Sequence, residues 1–203
     1  MKNSIADPFT QILVPRVFSH FSQPSMKTRL RNFFAWGYSF EQWFKWETVV
    51  ALDPVVAAMR GDPWDYRQWH LEYHGFKRQL GIVDMAFLGA RPLMLHLKVF
   101  TCWSFNRGHL AGRPNSLLHD VNRVRAFRKP PVTAATLLLL VEHAGQRTDF
   151  AKLGAPEPEN PRGQRIRLGT VDCWPDCTPQ KVSGVYAKLL YWTNRQRSCR
   201  RRN

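Results

Sequence analysis

Acidic residues are scarce in this chain. Against 30 lysines and arginines there are only 15 aspartates and glutamates, a formal net charge of +15 and a pI near 10.4. That imbalance excludes an electrostatically neutral surface and predicts a broad positive potential, for which a polyphosphate is the natural physical partner because binding releases its condensed counterions. Cysteine is equally sparse. The four cysteines, at 102, 173, 177 and 199, follow no zinc-ribbon spacing and form no disulfide framework. They are expected to be reduced thiols in a cytoplasmic protein, with a metal pair from Cys173 and Cys177 as the alternative. Long apolar runs are missing too. Residues 1–21 lack a secretory core, and the longest run, around Ala134–Val141, is too short to span a bilayer. No membrane association is therefore expected. No internal repeat, low-complexity stretch, phosphate-binding glycine loop, nucleophile elbow or zinc-protease histidine pair is present. His70, His74, His109, His119 and His143 are dispersed.

What is there is globular. Of 203 residues, 44% are hydrophobic, with 8 Trp and 13 Phe. A chain of this length buries about 70% of the surface its unfolded form exposes, so no staples are needed. Residues 1–38 are expected to be an N-terminal extension. Residues 39–194 are expected to form a single α/β domain, and 195–203 an arginine-rich tail. The extension has no clear period; it mixes apolar clusters such as Ile12-Leu13-Val14 and Phe33-Phe34 with prolines and basic residues.

The first clear signal is a helix from Ser39, with Gln42 completing a capping box and Phe40, Trp43, Phe44, Trp46, Val49 and Val50 giving an apolar face. Asp53-Pro54 is expected to interrupt it. Three strands follow, at Trp69–Phe76, Leu80–Leu88 and Leu93–Phe100. A turn at Gly89–Pro92 joins the last two. In the third, a period of two places His96 and Lys98 on one face. Ser116 to about Phe127 predicts a helix with Leu117, Leu118, Val121, Val124 and Phe127 on one stripe, and Asp120 with Arg123 as a helical salt bridge. Thr133–Glu142 is the most apolar strand, suited to the sheet centre. Arg165–Val171 predicts a further strand. Thr178-Pro179 with Val182, Val185, Tyr186, Leu189 and Leu190 predicts a final amphipathic helix.

Two charged residues sit inside apolar strands, Asp84 and Lys98. Either is costly to bury without a partner. If the two strands pair through the turn at 89–92, acid and amine come close, as a simple ion pair or as a site for metal-assisted phosphodiester hydrolysis. The element order αβββαβ, with Asp84 in the second strand and Leu97-Lys98 in the third, resembles the PD-(D/E)XK nuclease superfamily over about residues 39–143. The resemblance implies a restriction-endonuclease-like core with a mixed central sheet flanked by helices. It implies DNA as partner, with RNA as the alternative, and Mg²⁺ or Mn²⁺ as cofactor. By it, Asp84 matches the metal-binding aspartate, Lys98 the catalytic lysine, and Glu47 the helical acidic residue. One position departs from the pattern: where the family has an acid two residues before the lysine, this chain has His96. Three readings stand. A carboxylate has migrated, with Glu47 or Glu72 replacing it; His96 is itself a ligand for a softer metal; or the site is inactive, leaving a nucleic-acid-binding module.

Phosphate contacts are expected from basic residues around this segment, chiefly Arg91, Arg107, Arg113 and Arg123. The loop Trp103–Arg113 carries Trp103 and Phe105, either base-stacking groups or core. A protein-interaction domain for an acidic protein partner is the further alternative.

Overall fold

The computed structural model describes residues 9–36, 40–58, 68–89, 92–101, 112–145, 148–173 and 179–194. Its centre is a six-stranded mixed sheet in the order β1-β2-β3-β4-β6-β5. The strands are β1 (Gln68–Tyr73), β2 (Val83–Leu88), β3 (Leu93–Thr101), β4 (Thr133–His143), β5 (Arg165–Cys173) and β6 (Gln180–Thr193). The helices are α1 (Val14–Phe21), α2 (Pro24–Trp36), α3 (Glu41–Ala58), the single turn α4 (Lys77–Leu80) and α5 (Gly112–Ala126).

β4 reads as a run of small and aliphatic residues because both its faces are covered, and ten of its eleven residues are buried. It lies parallel to β3, with Leu93 opposite Thr133 and Thr101 opposite Val141. A parallel pair needs a long crossover, and α5 supplies it. β1, β2 and β3 are successive antiparallel neighbours, as are β4, β6 and β5. Alternation along β3 then sorts its side chains. Leu93, Leu95, Leu97 and Val99 join the core beneath α1, α2 and α3. Met94 and Phe100 face the other way, into the layer under α5 formed with Leu117, Val121 and Val124.

Three expectations are corrected. The segment 180–193 is the strand β6, not a helix. Its apolar residues suit either period, but Gly184 has φ 69, which a helix interior does not accommodate, and both strand faces are buried: Val185, Ala187 and Leu189 on one side, Leu190 and Trp192 on the other. Residues 9–36 are not an appendage. Leu13, Val17, Phe21, Leu30 and Phe34 are buried in the main core, and Pro15 and Pro24 sit in first helical turns, where a missing N–H costs nothing. Finally, α3 runs through Pro54. The carbonyl that loses its partner belongs to Val50, an exposed residue that water can reach.

β4 and β6 also hold a charged cluster around the buried Glu142. Glu142 of β4 accepts from Tyr186 Oη at 2.9 Å, from Lys188 Nζ at 2.5 Å and from the Thr148 N–H at 2.9 Å. Burial pushes this carboxyl up, but those donors outweigh it and hold the pKa below its ordinary value. Among the described residues no helix is long and apolar enough to cross a membrane.

Because Leu139 lies fully buried in the central strand, Leu139→Ala is expected to lower the unfolding free energy by about 2–5 kcal/mol. Urea denaturation monitored by circular dichroism checks this; a loss under about 1 kcal/mol would show a core that collapses around the gap.

Candidate functional site

β2 and β3 pair from Phe87–Leu93 to Met85–Leu95 and then part. At the point of parting stands Asp84. Its Oδ2 accepts the Leu97 N–H at 2.7 Å, so a side chain takes the place of a ladder carbonyl. Its Oδ1 takes Lys45 Nζ of α3 at 2.5 Å. The carboxylate is therefore a wedge in a fork, with each oxygen engaged.

Lys98 lies three residues past the last pairing, where β3 has an open edge. From there its ammonium reaches Asp120 of α5, at 3.2 Å, and Glu41 of α3, at 3.5 Å. These two helices cover opposite faces of the sheet, so one lysine links both layers. Burial pushes the Lys98 pKa down, but Glu41, Asp120 and Asp84 together outweigh burial and raise it above 10.5. Its charge is thus fixed at any ordinary pH.

His96 shares the α5 face with Lys98, as the period of two predicts. Its Nδ1 lies 3.8 Å from Asp120 Oδ2. The ring is almost wholly buried, and Nε2 makes no hydrogen bond of standard geometry, although the Leu80 backbone favours the protonated ring. Burial dominates and lowers the His96 pKa below 6.5, against the pull of Asp120 and Asp84.

Glu47 is not part of this cluster. It accepts from His20 Nε2 at 2.8 Å, Arg29 Nη1 at 2.6 Å and Trp43 Nε1 at 3.0 Å, and so ties α3 to α1 and α2. The acidic residue that α3 does bring to the fork is Glu41, one and a half turns earlier. Asp120 does not form the expected helical pair with Arg123; it turns to Lys98 and His96. Both acids carried a signal in the chain. Asp120 falls on the stripe of Leu117, Val121 and Val124, an acid where a core residue is due. Glu41 and Lys45 precede the buried Thr48 and Leu52 at helical spacing.

A small cleft of about 230 Å³ opens beside Asp84, lined by Gln42, Lys45, Trp46, Leu71 and Glu72. Glu72 is exposed and holds a positive φ of 50°, in the left-handed region that favours glycine. Comparison with family models, curated proteins and solved structures finds no match to this chain. The chemistry of the fork must be judged on its own geometry.

A divalent cation needs several oxygen ligands converging within about 2–2.6 Å of one point. Among the described residues, no three acidic, histidine or cysteine side chains are grouped so as to hold one. Asp84 spends its oxygens on Lys45 and Leu97, and Asp120 faces Lys98. Of the residues expected as metal ligands, Asp84 and His96 stand at the fork and Glu47 stands apart. As arranged, the donor set does not fit Mg²⁺ or Mn²⁺. Of the expected phosphate contacts, Arg91, Arg107 and the Arg113 side chain lie outside the described residues, as do the aromatic pair Trp103 and Phe105, Cys177 and the arginine tail. Cys173 is described: it is buried as a free thiol and donates to the Gln180 carbonyl at 3.4 Å.

The neutral, buried His96 makes stability depend on pH. The unfolded chain binds a proton near pH 6.5, whereas the folded ring resists it. Its contribution is therefore complete above that pH and is lost as pH falls below it toward the lowered folded value. Urea titrations of the wild type and His96→Gln from pH 8 down to about 5 should show the wild-type advantage shrinking as His96 takes a proton; a constant difference would mean that the ring titrates alike in the folded and unfolded chain, and a growing one that it is charged in the fold.

Proposed function

We propose that this chain is a nucleic-acid-binding module built on a nuclease-like core, with DNA as its target. The observation that carries the reading is that Asp84 and Lys98 both stand at the β2–β3 fork, each tied to another partner, Lys45 and Asp120, in a chain of net charge +15. The succession α3, β1, β2, β3, α5, β4, with β3 and β4 parallel, supports a restriction-endonuclease-like arrangement. Within it, the carboxylates that a hydrolytic site would offer to a metal are neutralised by Lys45 and Lys98. The inactive-site reading of His96 accounts for this. A neutral imidazole, buried against Asp120, occupies the position of the missing acid and offers no anionic oxygen.

A metal-dependent nuclease is the second reading, favoured by one observation. Glu72, whose strained backbone costs about 1–3 kcal/mol, lines the same cleft as Asp84. Strain of this kind gathers where a side chain must be held in a particular direction, so Glu72 is the migrated carboxylate on this reading.

The two readings separate in one assay. Supercoiled plasmid is incubated with the protein and Mg²⁺ or Mn²⁺, and binding to a labelled DNA duplex is followed in parallel at rising salt. The module predicts binding that weakens steeply with salt and no nicking in either metal. Nicking that Asp84→Ala and Lys98→Ala both abolish would establish the nuclease instead. Failure to bind DNA at low salt would overturn both and point to an acidic protein partner.

A further inference from the structure

The positive charge of this chain is not spread evenly over its described surface. Around the fork the cations are paired inward: Lys45 with Asp84, Lys98 with Asp120 and Glu41. A second group is arranged quite differently. The turn α4 packs against α5, and these two elements with the turn that follows α5 carry Lys77, Arg78, Arg123, Arg125, Arg128 and Lys129. The contributing stretches, residues 73–83 and 121–132, contain no acidic residue. None of the six cations pairs with a carboxylate among the described residues. Five of the six residues are exposed, and Arg123 is half-buried.

The ridge is built rather than incidental. Phe76 and Phe127 meet edge to face, with ring centroids 5.4 Å apart, and lock the turn to the helix. The Lys129 ammonium stands over the Phe76 ring at 5.5 Å. The Arg123 guanidinium lies over Gly81, where a Cβ would displace it, and Gly81 has a φ of 76, which favours glycine. Arg128 folds back onto the carbonyls of Arg125 and Phe127 and so masks the negative end of α5, which would otherwise repel an anion. Crowding six like charges without counter-charges costs folding energy and contributes none. Ordinary soluble surfaces intersperse the two signs. Such an arrangement is explained by a polyanion that supplies the missing charge.

We propose that this ridge, from α4 across the end of α5, binds the phosphodiester backbone of double-helical nucleic acid. Phosphate contacts of this kind set position and supply affinity without reading sequence. The ridge borders the fork: Asp120, which holds Lys98, lies one helical turn before Arg123, and Gly81 lies just ahead of Asp84. The proposal rests on the nucleic-acid reading above and adds where the backbone sits.

The test is the salt dependence of binding to a short fluorescein-labelled DNA duplex, read by anisotropy between about 50 and 200 mM salt. Each phosphate neutralised contributes about 0.9 to the slope of log affinity against log salt. Lys77→Glu/Arg78→Glu/Arg125→Glu should therefore lower the slope by about 2–3 and weaken binding at least tenfold. The same three positions changed to Gln should move it the same way by a smaller amount. The comparison is Arg165→Glu/Arg167→Glu/Lys181→Glu, an equal charge change at the opposite edge of the sheet, which should alter the slope by less than about 1. Circular dichroism verifies that each variant folds. If both triple variants lose slope equally, the chain binds DNA through diffuse charge and the ridge is refuted while the nucleic-acid reading stands. If the wild type binds no duplex at low salt, or binds phosphatidylserine vesicles in preference to DNA, both are refuted.

Discussion

The hydrogen bond from the Leu97 N–H to the Asp84 carboxylate is the constraint on which the arrangement of the site depends. In an unbroken antiparallel ladder, β2 would continue alongside β3 past Met85 and Leu95. A side-chain acceptor in place of a main-chain one keeps the Leu97 donor satisfied while letting the strands diverge, so the fork carries no orphaned amide. The divergence exposes an edge of β3, and through that edge Lys98 reaches both the α5 acid Asp120 and the α3 acid Glu41. Lys45 then closes the arrangement by holding the second oxygen of Asp84. Two helices on opposite faces of a sheet are thus joined by charges passing through one gap in it.

Electrostatics divides the molecule into two regimes. Interior charges are matched: Asp84 with Lys45, Asp120 with Lys98, Glu142 with Lys188. Removing one partner of a buried pair is far more damaging than the pair is stabilising, so these sets persist together or not at all. Of the 15 carboxylates in the chain, Asp84, Asp120 and Glu142 are consumed in this way. What remains outside is a surplus of cations with nothing to meet on the protein. The same scarcity that gives the chain its net charge leaves the ridge of α4 and α5 uncompensated, and links interior pairing to the surface available for a phosphate backbone.

Much of this fold and site is legible in the amino-acid sequence, and the rest is hidden for physical reasons. β3 and β4 announce themselves through strict alternation and an unbroken apolar run, and the placement of His96 and Lys98 on one face follows from the period alone. Asp84 stands out because an acid inside an apolar strand requires a partner. Its partner was not legible, since nothing near Lys45 in the chain says that α3 crosses the fork. Glu47 was expected at the site, and Glu41, six residues earlier, is the acid that reaches it. Both lie on α3, and only the packing of His20 and Arg29 against Glu47 separates them. The sequence of β6 suits a helix as well as a strand, because Val182, Val185, Tyr186, Leu189 and Leu190 satisfy a 3.6 period as well as a 2.0 period when both strand faces are buried. The helices of residues 14–36 were hidden by prolines that look like breakers yet occupy first turns.

The account turns on Asp84 acting as a strand-splitting acceptor, and amide hydrogen exchange at Leu97 measures that directly. In the wild type the Leu97 N–H should exchange slowly, in step with its neighbours in β3. In Asp84→Ala, with the rest of β3 still protected, that single amide should lose its protection. Unchanged protection at Leu97 in the variant would mean that its donor has a main-chain partner, that β2 and β3 do not part at this point, and that the fork is not held by the carboxylate.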